Sequence, residues 1–456
     1  MSTKVKFIIF FILVFWGCSC FFFTCKSSDE APEESRIIEK PNIIFISIDT
    51  LRADRLACYG YEKIKTPNID FIAKRGVLFT QAICQVPVTL PSHASMFTGL
   101  NPTSHNVREN GTFRLDNSER TLAEILKESG YNTAAFIGGF PLDSRFGLDK
   151  GFDFYDDDLS DRKDQETIQG KISWQGHKVS TFERKAISVV ESAIKWLSSN
   201  KESSCFLFIH LFDPHASYSP PAPFKKLYAH QPYDGEVAYV DYCLGKFFKK
   251  LEKWKILKDA LIIITSDHGE SLGEHNYWGH GKKLFEPSLR IPLIISFPSK
   301  MLQPKAVNGL VRSIDIMPTI LELLDQEKVT EIQGVSLLPL MSDEEEKKLN
   351  LASYGETFFP RLRFGEEELR SYRTERWKYI RLIKDNKTVR EKLFDLQNDP
   401  EEIQDCAKKE EKKTQEFASL LARVIENDRK LAVNKNTFFA MDEETRRKLK
   451  SLGYIR

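Results

Sequence analysis

The chain has 456 residues, 41% of them hydrophobic and 29% charged, with a formal net charge of +1. That is an ordinary globular composition, long enough for one large α/β core plus a smaller lobe. So even a charge balance offers no global field for nucleic acid, and the Lys/Glu runs near 343–348 and 408–413 read as solvated faces.

Lys4 and Lys6 precede an apolar run over 7–16, followed by Cys18, Cys20 and Cys25 and a mostly polar stretch over 26–36. This pattern predicts an export segment at 1–25 and a polar tether at 26–40. A cysteine just after such a core resembles a bacterial lipoprotein signal, in which the cysteine is acylated; an uncleaved anchor over 7–23 is the alternative. Both readings predict an exported protein, tethered to a membrane through its N-terminal anchor and facing the periplasm or the cell surface. Cys58, Cys84, Cys205, Cys243 and Cys406 are scattered without metal-like spacing and read mostly as buried small hydrophobes.

After Pro41, the run NIIFIS at 42–47 is the kind of continuous apolar stretch that forms a parallel strand buried on both faces, and it leads into Asp49. A helical pattern at 68–75 follows the Gly60 turn and leads to VTLPSHASMFTG at 88–99. There Pro91 suits a first helical turn and Gly99 a stop. Thr89 therefore sits at or just before a helix N-terminus, where free N–H groups and the helix dipole favour an anion. A helix over 122–130 and a strand over 132–138 come next. The segment 150–182, with Asp156, Asp157 and Asp158 in a row, reads as an irregular surface insertion. A helix over 182–198 precedes a second buried strand at 205–213, ending in Asp213, Pro214 and His215. A long helix at 236–254 and a strand at 260–267 lead to DHGESLGEHNYWGHG at 267–281, followed by a strand at 291–297 and a helix at 315–324.

Strands and helices alternate, which predicts a large, mostly parallel sheet flanked by helices, with ligands bound beyond the carboxyl ends of the strands. Asp49, Asp213 with His215, and Asp267 with His268 all fall at such ends. The catalytic domain is expected over 41–345. Beyond it, SYRTERWKYIRLI and KLFDL alternate as antiparallel strands before a helix at about 408–426, a small α+β lobe over 346–456.

An isolated threonine before a helix is ordinarily an N-cap. Three acidic strand ends beside it make Thr89 a candidate nucleophile instead. A threonine hydroxyl needs a cation or base to hold it as alkoxide, and Asp49, Asp267 and His268 are suitable ligands for one divalent metal ion. Oxygen ligands alone suit calcium or magnesium, and an imidazole shifts the balance toward zinc or manganese without excluding calcium.

The chain resembles the sulfatase family of the alkaline phosphatase superfamily over 41–456. The likeness rests on PNIIFISIDTLRAD, TLPSHASMFTG, the Asp213-Pro214-His215 strand end, TSDHGESLGEH, WKYIRL, KLFDLQNDPEE and a closing LGY. It implies metal ligation by Asp49, Asp267 and His268, a nucleophile at Thr89, and substrate contact or acid catalysis at His215. Asn110 resembles an asparagine that contacts the transferred group in phosphodiesterase relatives. His93, His280 and Arg52 are further candidate substrate contacts. Arg52 reads equally well as a structural ion pair.

Several positions depart from the family pattern. Thr89 and His93 stand where sulfatases carry the formylglycine precursor and an arginine. Thr50 replaces a second aspartate, and IGGFPLD, with Gly139 and Pro141, lacks a lysine and a histidine. A later lysine falls at or near His280, close to Lys282 and Lys283. Threonine cannot give the aldehyde, so its chemistry leans toward phosphoryl transfer through a covalent ester. The expected function is metal-dependent hydrolysis of sulfuric or phosphoric esters on a small molecule, glycan or lipid-linked ligand. A phosphoethanolamine-transferase-like headgroup transferase and a catalytically inactive binding protein are the alternatives. Asp213, His215, His275 and His280 offer a second metal set, against which direct substrate contact or hydrogen bonding behind the first site is preferred.

Overall fold

The computed structural model describes residues 40–159, 173–174, 177–178, 183–297, 302–326, 328–342 and 349–432, with isolated positions 435, 437, 438, 442, 443, 446 and 447. The expected export segment and its tether, except Lys40, lie outside the described residues. Among those described, no helix is long and apolar enough to cross a membrane.

Eight strands form the main sheet: β1 (Ile43–Ile48), β2 (Val77–Ile83), β3 (Asn132–Phe136), β4 (Phe154–Asp156), β5 (Cys205–Leu211), β6 (Leu261–Thr265), β7 (Arg290–Ser296) and β8 (Lys305–Arg312). Their spatial order is β8-β2-β7-β6-β1-β5-β3-β4. β1 lies parallel to β5 and β6, β3 to β4 and β5, and β8 to β2, while β7 runs antiparallel to β2 and β6. The predicted parallel sheet is therefore present, with one reversed strand that the apolar run at 291–297 could not reveal.

Alternate residues of β1 serve opposite layers, which is why the run is continuously apolar. Ile43 and Phe45 pack into one layer with Phe97, Leu122 and Ile316, contributed by α2 (Thr89–Thr98), α3 (Leu122–Glu128) and α6 (Ile316–Leu323). Ile44, Ile46 and Ile48 pack into the other with Ile69, Val190 and Phe247, from α1 (Pro67–Ala73), α4 (Ala186–Asn200) and α5 (Pro232–Lys253). The predicted helices are all found within a few residues. β2, β4 and β8 are not anticipated by the apolar pattern. Thr80 and Gln81 interrupt β2, and β8 is a half-exposed edge strand carrying Lys305 and Asn308. Nor is 150–159 an irregular insertion, because Phe154–Asp156 pairs with β3 and Asp156 binds Arg184 at 3.0 Å. All five described cysteines are free, with Cys84, Cys205 and Cys243 buried and Cys58 and Cys406 half-buried.

A second sheet, β9 (Ser353–Thr357), β10 (Glu368–Arg373), β11 (Trp377–Lys384) and β12 (Lys387–Asp395), is antiparallel throughout. One face packs Tyr354, Tyr379 and Leu393 against Phe417, Leu421 and Ile425 of α7 (Glu411–Leu431). From the other face Leu369, Ile380 and Phe394 join the main core. Lys378, fully buried, reaches Glu286 at 3.1 Å and Glu402 at 2.8 Å, and Arg373 also holds Glu286, at 3.0 Å.

Removing one partner of such a network strands the other charges without solvent. Lys378→Met is expected to destabilise the fold by about 3–5 kcal/mol. Urea unfolding checks this, and a loss below about 1 kcal/mol would place the linkage elsewhere. His105 supplies a second test. Its Nδ1 accepts from the Val107 N–H at 3.1 Å and its Nε2 meets Ser95 Oγ at 2.9 Å, a fully buried neutral ring. Burial, then Arg108 and Lys435, hold it well below the usual imidazole range. Below about pH 6.5 the unfolded chain takes up a proton that the folded chain refuses, so stability falls with pH. This histidine alone should contribute a measurable part of the stability lost on acidification through about pH 6.5. His105→Asn should lose correspondingly less stability between pH 7.5 and 5, and equal losses would sink the assignment.

Candidate active site

Asp49 directly follows β1, where its N–H still donates to Leu211 O at 2.9 Å. Thr50 then adopts a left-handed conformation, φ 56°, which is uncommon for a β-branched residue, and its N–H donates to Asp267 Oδ1 at 3.2 Å. Asp267, two residues beyond β6, also accepts the His268 N–H through Oδ1 at 2.8 Å. Its Oδ2 has no hydrogen-bond partner, and neither do Asp49 Oδ1 and His268 Nε2, although all three residues are fully buried. His268 Nδ1 lies 2.9 Å from Gly269 O, which places the ring proton there and leaves Nε2 as a bare lone pair.

Asp49, Asp267 and His268 each offer one ligand atom within 4.8 Å of the others. Burial and then the Asp267 charge push Asp49 well above the ordinary carboxylate range. Burial works against Asp267 too, but His268, His93 and His210 hold it below that range. Two buried carboxylates and an unprotonated imidazole nitrogen, all facing one point without donors, fit a divalent cation, which would keep both acids ionised.

Helix α2 starts at Thr89 after the extended Val88, φ −148°, and ends on Gly99 in the left-handed region. The predicted helix start and stop are both present. Thr89 Oγ1 points to Asp49 Oδ2 at 3.4 Å. Three polar contacts fix the helix here. His93 bridges Thr89 O, 2.8 Å from Nδ1, and Ser47 Oγ, 2.8 Å from Nε2, while Ser92 Oγ donates to Asp267 O at 2.7 Å. Asn110 Oδ1 accepts the Leu90 N–H at 2.8 Å, satisfying one free donor of the helix start, and its buried Nδ2 has no partner. Asn110 thus keeps a donor for a ligand. Both nitrogens of His93 are used by the protein, and its pKa is pushed down to about 3, chiefly by burial. It holds Thr89 in place rather than touching substrate.

A second group lies beside these three residues. His280 is 4.4 Å from the His268 ring and 5.0 Å from the His215 ring, and its Nδ1 meets Glu270 Oε1 at 3.2 Å. His215 stacks on Phe212 at 4.3 Å and places Nδ1 2.7 Å from Ala216 O, leaving Nε2 buried and unpartnered. Burial lowers His215 to about 3 and His280 to about 4, and raises Glu270 to about 7.

The alternative second metal set is not brought together. Asp213 is held by Lys185 at 3.1 Å and by the Ala186 N–H at 2.8 Å, and His275 stacks on Phe285 at 3.7 Å. Arg52, a candidate substrate contact, has its guanidinium committed to Asp54, Glu274 and Glu270 O, the structural pairing that the sequence left open. Lys282 lies over the Phe364 ring at 3.7 Å.

Two participants escaped the sequence reading. His210, buried on β5, lies with Nε2 3.4 Å from Asp49 Oδ2, and Glu270 faces His280. A histidine inside the apolar run CFLFIHLF and the acid of DHGE were the available signals. The absence of side chains at Gly138 and Gly139 also has a cause. A Cβ on Gly139 would fall 2.2 Å from the Phe212 ring, and one on Gly138 would fall 2.7 Å from His210 O.

Residues 41–326 match the sulfatase family, and residues 273–430 match the family described as N-sulphoglucosamine sulphohydrolase, C-terminal. An ulvan-active sulfatase of Formosa agariphila is 26% identical over 402 residues, covering 78% of this chain and 76% of the relative. An arylsulfatase of Clostridium perfringens is 25% identical, covering 82% and 92%. The phosphonate monoester hydrolase of Agrobacterium radiobacter superposes with a TM-score of 0.70 at 22% identity, covering 87% of this chain and 96% of that one, a likeness of fold. With its sheet order, its buried ligand cluster and a family match spanning most of the catalytic domain, the chain belongs to the sulfatase family.

Proposed function

We propose that the protein hydrolyses sulfuric or phosphoric esters, with Thr89 as nucleophile. The observation that carries this reading is the placement of Thr89 Oγ1 at the start of α2, 3.4 Å from a carboxylate of the buried Asp49/Asp267/His268 cluster. A divalent ion bound by those three residues, calcium, manganese or zinc, would supply the positive charge that holds a hydroxyl as alkoxide and offsets charge on the ester oxygens. Asp49 accepts the Thr89 hydrogen bond, aims its oxygen, and takes its proton as that oxygen attacks, returning it when the ester is released. Thr89 attacks the sulfur or phosphorus in line, forming an Oγ1 ester as the bond to the leaving oxygen breaks. Water then attacks the same centre, frees the inorganic anion and restores the hydroxyl.

Proton handling follows from the tautomers. His215 carries its proton on Nδ1, so its bare Nε2 accepts one from the attacking water. This replaces the leaving-group acid role that the family resemblance suggests. Glu270 retains a proton near neutral pH and shares it with His280 Nδ1, so His280 Nε2 donates to the leaving oxygen. Asn110 Nδ2 donates to the transferred group.

Charge narrows the substrate. The cluster with its ion sums to about zero, burial keeps His93, His215 and His280 neutral, and Arg52 and Lys185 are paired internally. A monoanionic ester enters with one uncompensated charge and a phosphate monoester dianion with two. Sulfate monoesters and phosphodiesters are thus favoured. Names among the relatives, an ulvan-active sulfatase and an N-acetylglucosamine-6-O-sulfatase, point to a sulfated or phosphorylated glycan as the substrate class. We place the protein outside the cytoplasm, tethered through its N-terminal segment.

The test is kcat/KM on matched aryl sulfate, phosphate monoester and phosphodiester, with each metal. Thr89→Ala should lower it by at least about 10³-fold, while Thr89→Ser keeps a measurable fraction. The two monoanions should exceed the dianion. Turnover that survives Thr89→Ala would reject the nucleophile. Chelation should abolish activity and re-addition of the ion restore it, and full turnover after chelation would reject the metal. Product transfer to an added alcohol in place of water would establish the transferase instead.

A further inference from the structure

A cavity of about 520 Å³ lies between the C-terminal sheet and α7, away from the residues just described. Arg370 from β10, Arg381 from β11, and Arg429 and Lys430 from the end of α7 line it, with Glu426 the one lining carboxylate among the described residues. Four cations against one acid is a strong local excess in a chain of net charge +1.

Two of those cations are placed unfavourably. Arg370 and Arg381 are direct partners across the antiparallel β10–β11 pair. Like charges opposite one another destabilise a sheet. Arg370 is only 8% exposed, and Glu368 takes one of its nitrogens at 2.9 Å. Its Nε is buried with no hydrogen-bond partner. Arg381 donates to the Tyr379 hydroxyl and Ala418 O, both at 3.1 Å, and its cross-strand partner on β12 is Glu391, which accepts a hydrogen bond from the Tyr379 hydroxyl. Arg429 and Lys430 have an ordinary explanation, since cations suit the last turn of a helix. That explanation does not extend to the sheet pair, two guanidinium groups opposite one another on adjacent strands that both line the same cavity. Guanidinium groups bind tetrahedral oxyanions through paired, charge-assisted hydrogen bonds.

We propose that this cavity is a second anion site, which takes a sulfate or phosphate group, either as the free ion or as a charged group on an extended ligand. An oxyanion there supplies acceptors for the guanidinium groups that line the cavity and offsets their repulsion. The proposal does not depend on the ester-hydrolase reading, because it concerns binding at a different face of the chain.

The test is equilibrium dialysis of the full-length protein with radiolabelled sulfate, radiolabelled phosphate and a sulfated oligosaccharide. Wild type is compared with Arg429→Glu/Lys430→Glu, two exposed positions whose exchange leaves the core intact, and with Arg381→Met. The double variant should lose one bound anion per chain or weaken it at least about tenfold, with unchanged turnover of a small aryl ester. Arg381→Met should move binding the same way. Preference for the inorganic ions would assign the site to the free anion, and preference for the oligosaccharide to an extended ligand. Superimposable isotherms for wild type and both variants would overturn the proposal. So would binding seen only with phosphatidylglycerol vesicles, which would make the patch a membrane contact.

Discussion

Two carboxylates with no access to solvent, Asp49 and Asp267, are the constraint from which the rest of the site follows. Burying one ionised acid is costly, and burying two side by side requires either a proton or a cation. Burial and the Asp267 charge push Asp49 above the ordinary carboxylate range, while the surrounding histidines hold Asp267 below it. Every neighbouring choice suits the cation. Asp267 Oδ1 is saturated by two backbone N–H groups while Oδ2 stays bare, and His268 turns its proton to Gly269 O. Thr50 takes an unfavourable backbone conformation to deliver one of those N–H groups.

Much of this was legible in the sequence because it coincides with strand ends. An apolar run that stops on an acid marks the carboxyl edge of a parallel sheet, and 42–49 and 260–268 both do so. Thr89 was legible through Pro91 and Gly99. What lay beyond reach depends on alternation within the sheet. His210 faces Asp49 because it pairs with Ser47 across β1 and β5, a register that no single segment encodes. β8 was hidden by its edge position, where polar residues are tolerated. Helix α2 is buried on all sides, so its sequence carries no amphipathic stripe; its caps had to serve in place of periodicity.

Rigidity around Thr89 comes from polar bolts rather than from packing alone. Ser47, His93 and Thr89 O tie β1 to α2, and Ser92 ties α2 to the backbone of Asp267. Thr89, Asp49 and Asp267 are thereby fixed to one another through three separate elements. The aromatic rings of Phe45, Phe97 and Phe208 fill the space beneath, with Phe97 and Phe208 4.9 Å apart. This arrangement positions reacting groups before substrate arrives, which is where much catalytic free energy originates.

The departures from the family pattern form one coherent set. Where the resemblance places an arginine stands His93, neutral and with both nitrogens spent. In place of a lysine and a histidine stand Gly139 and Pro141, and the space a side chain would need at Gly139 is taken by the Phe212 ring that seats His215. In place of the later lysine stands His280, lowered to about 4. Fixed cations have been exchanged throughout for neutral rings and glycine. Such a site gives up ground-state attraction for its anion, and attraction shared equally by substrate, transition state and product does not speed the chemical step. With Thr89 as the proposed nucleophile, that exchange would be advantageous, because a covalent threonine ester must be released by water. Tight binding of the freed anion would only slow the next turnover.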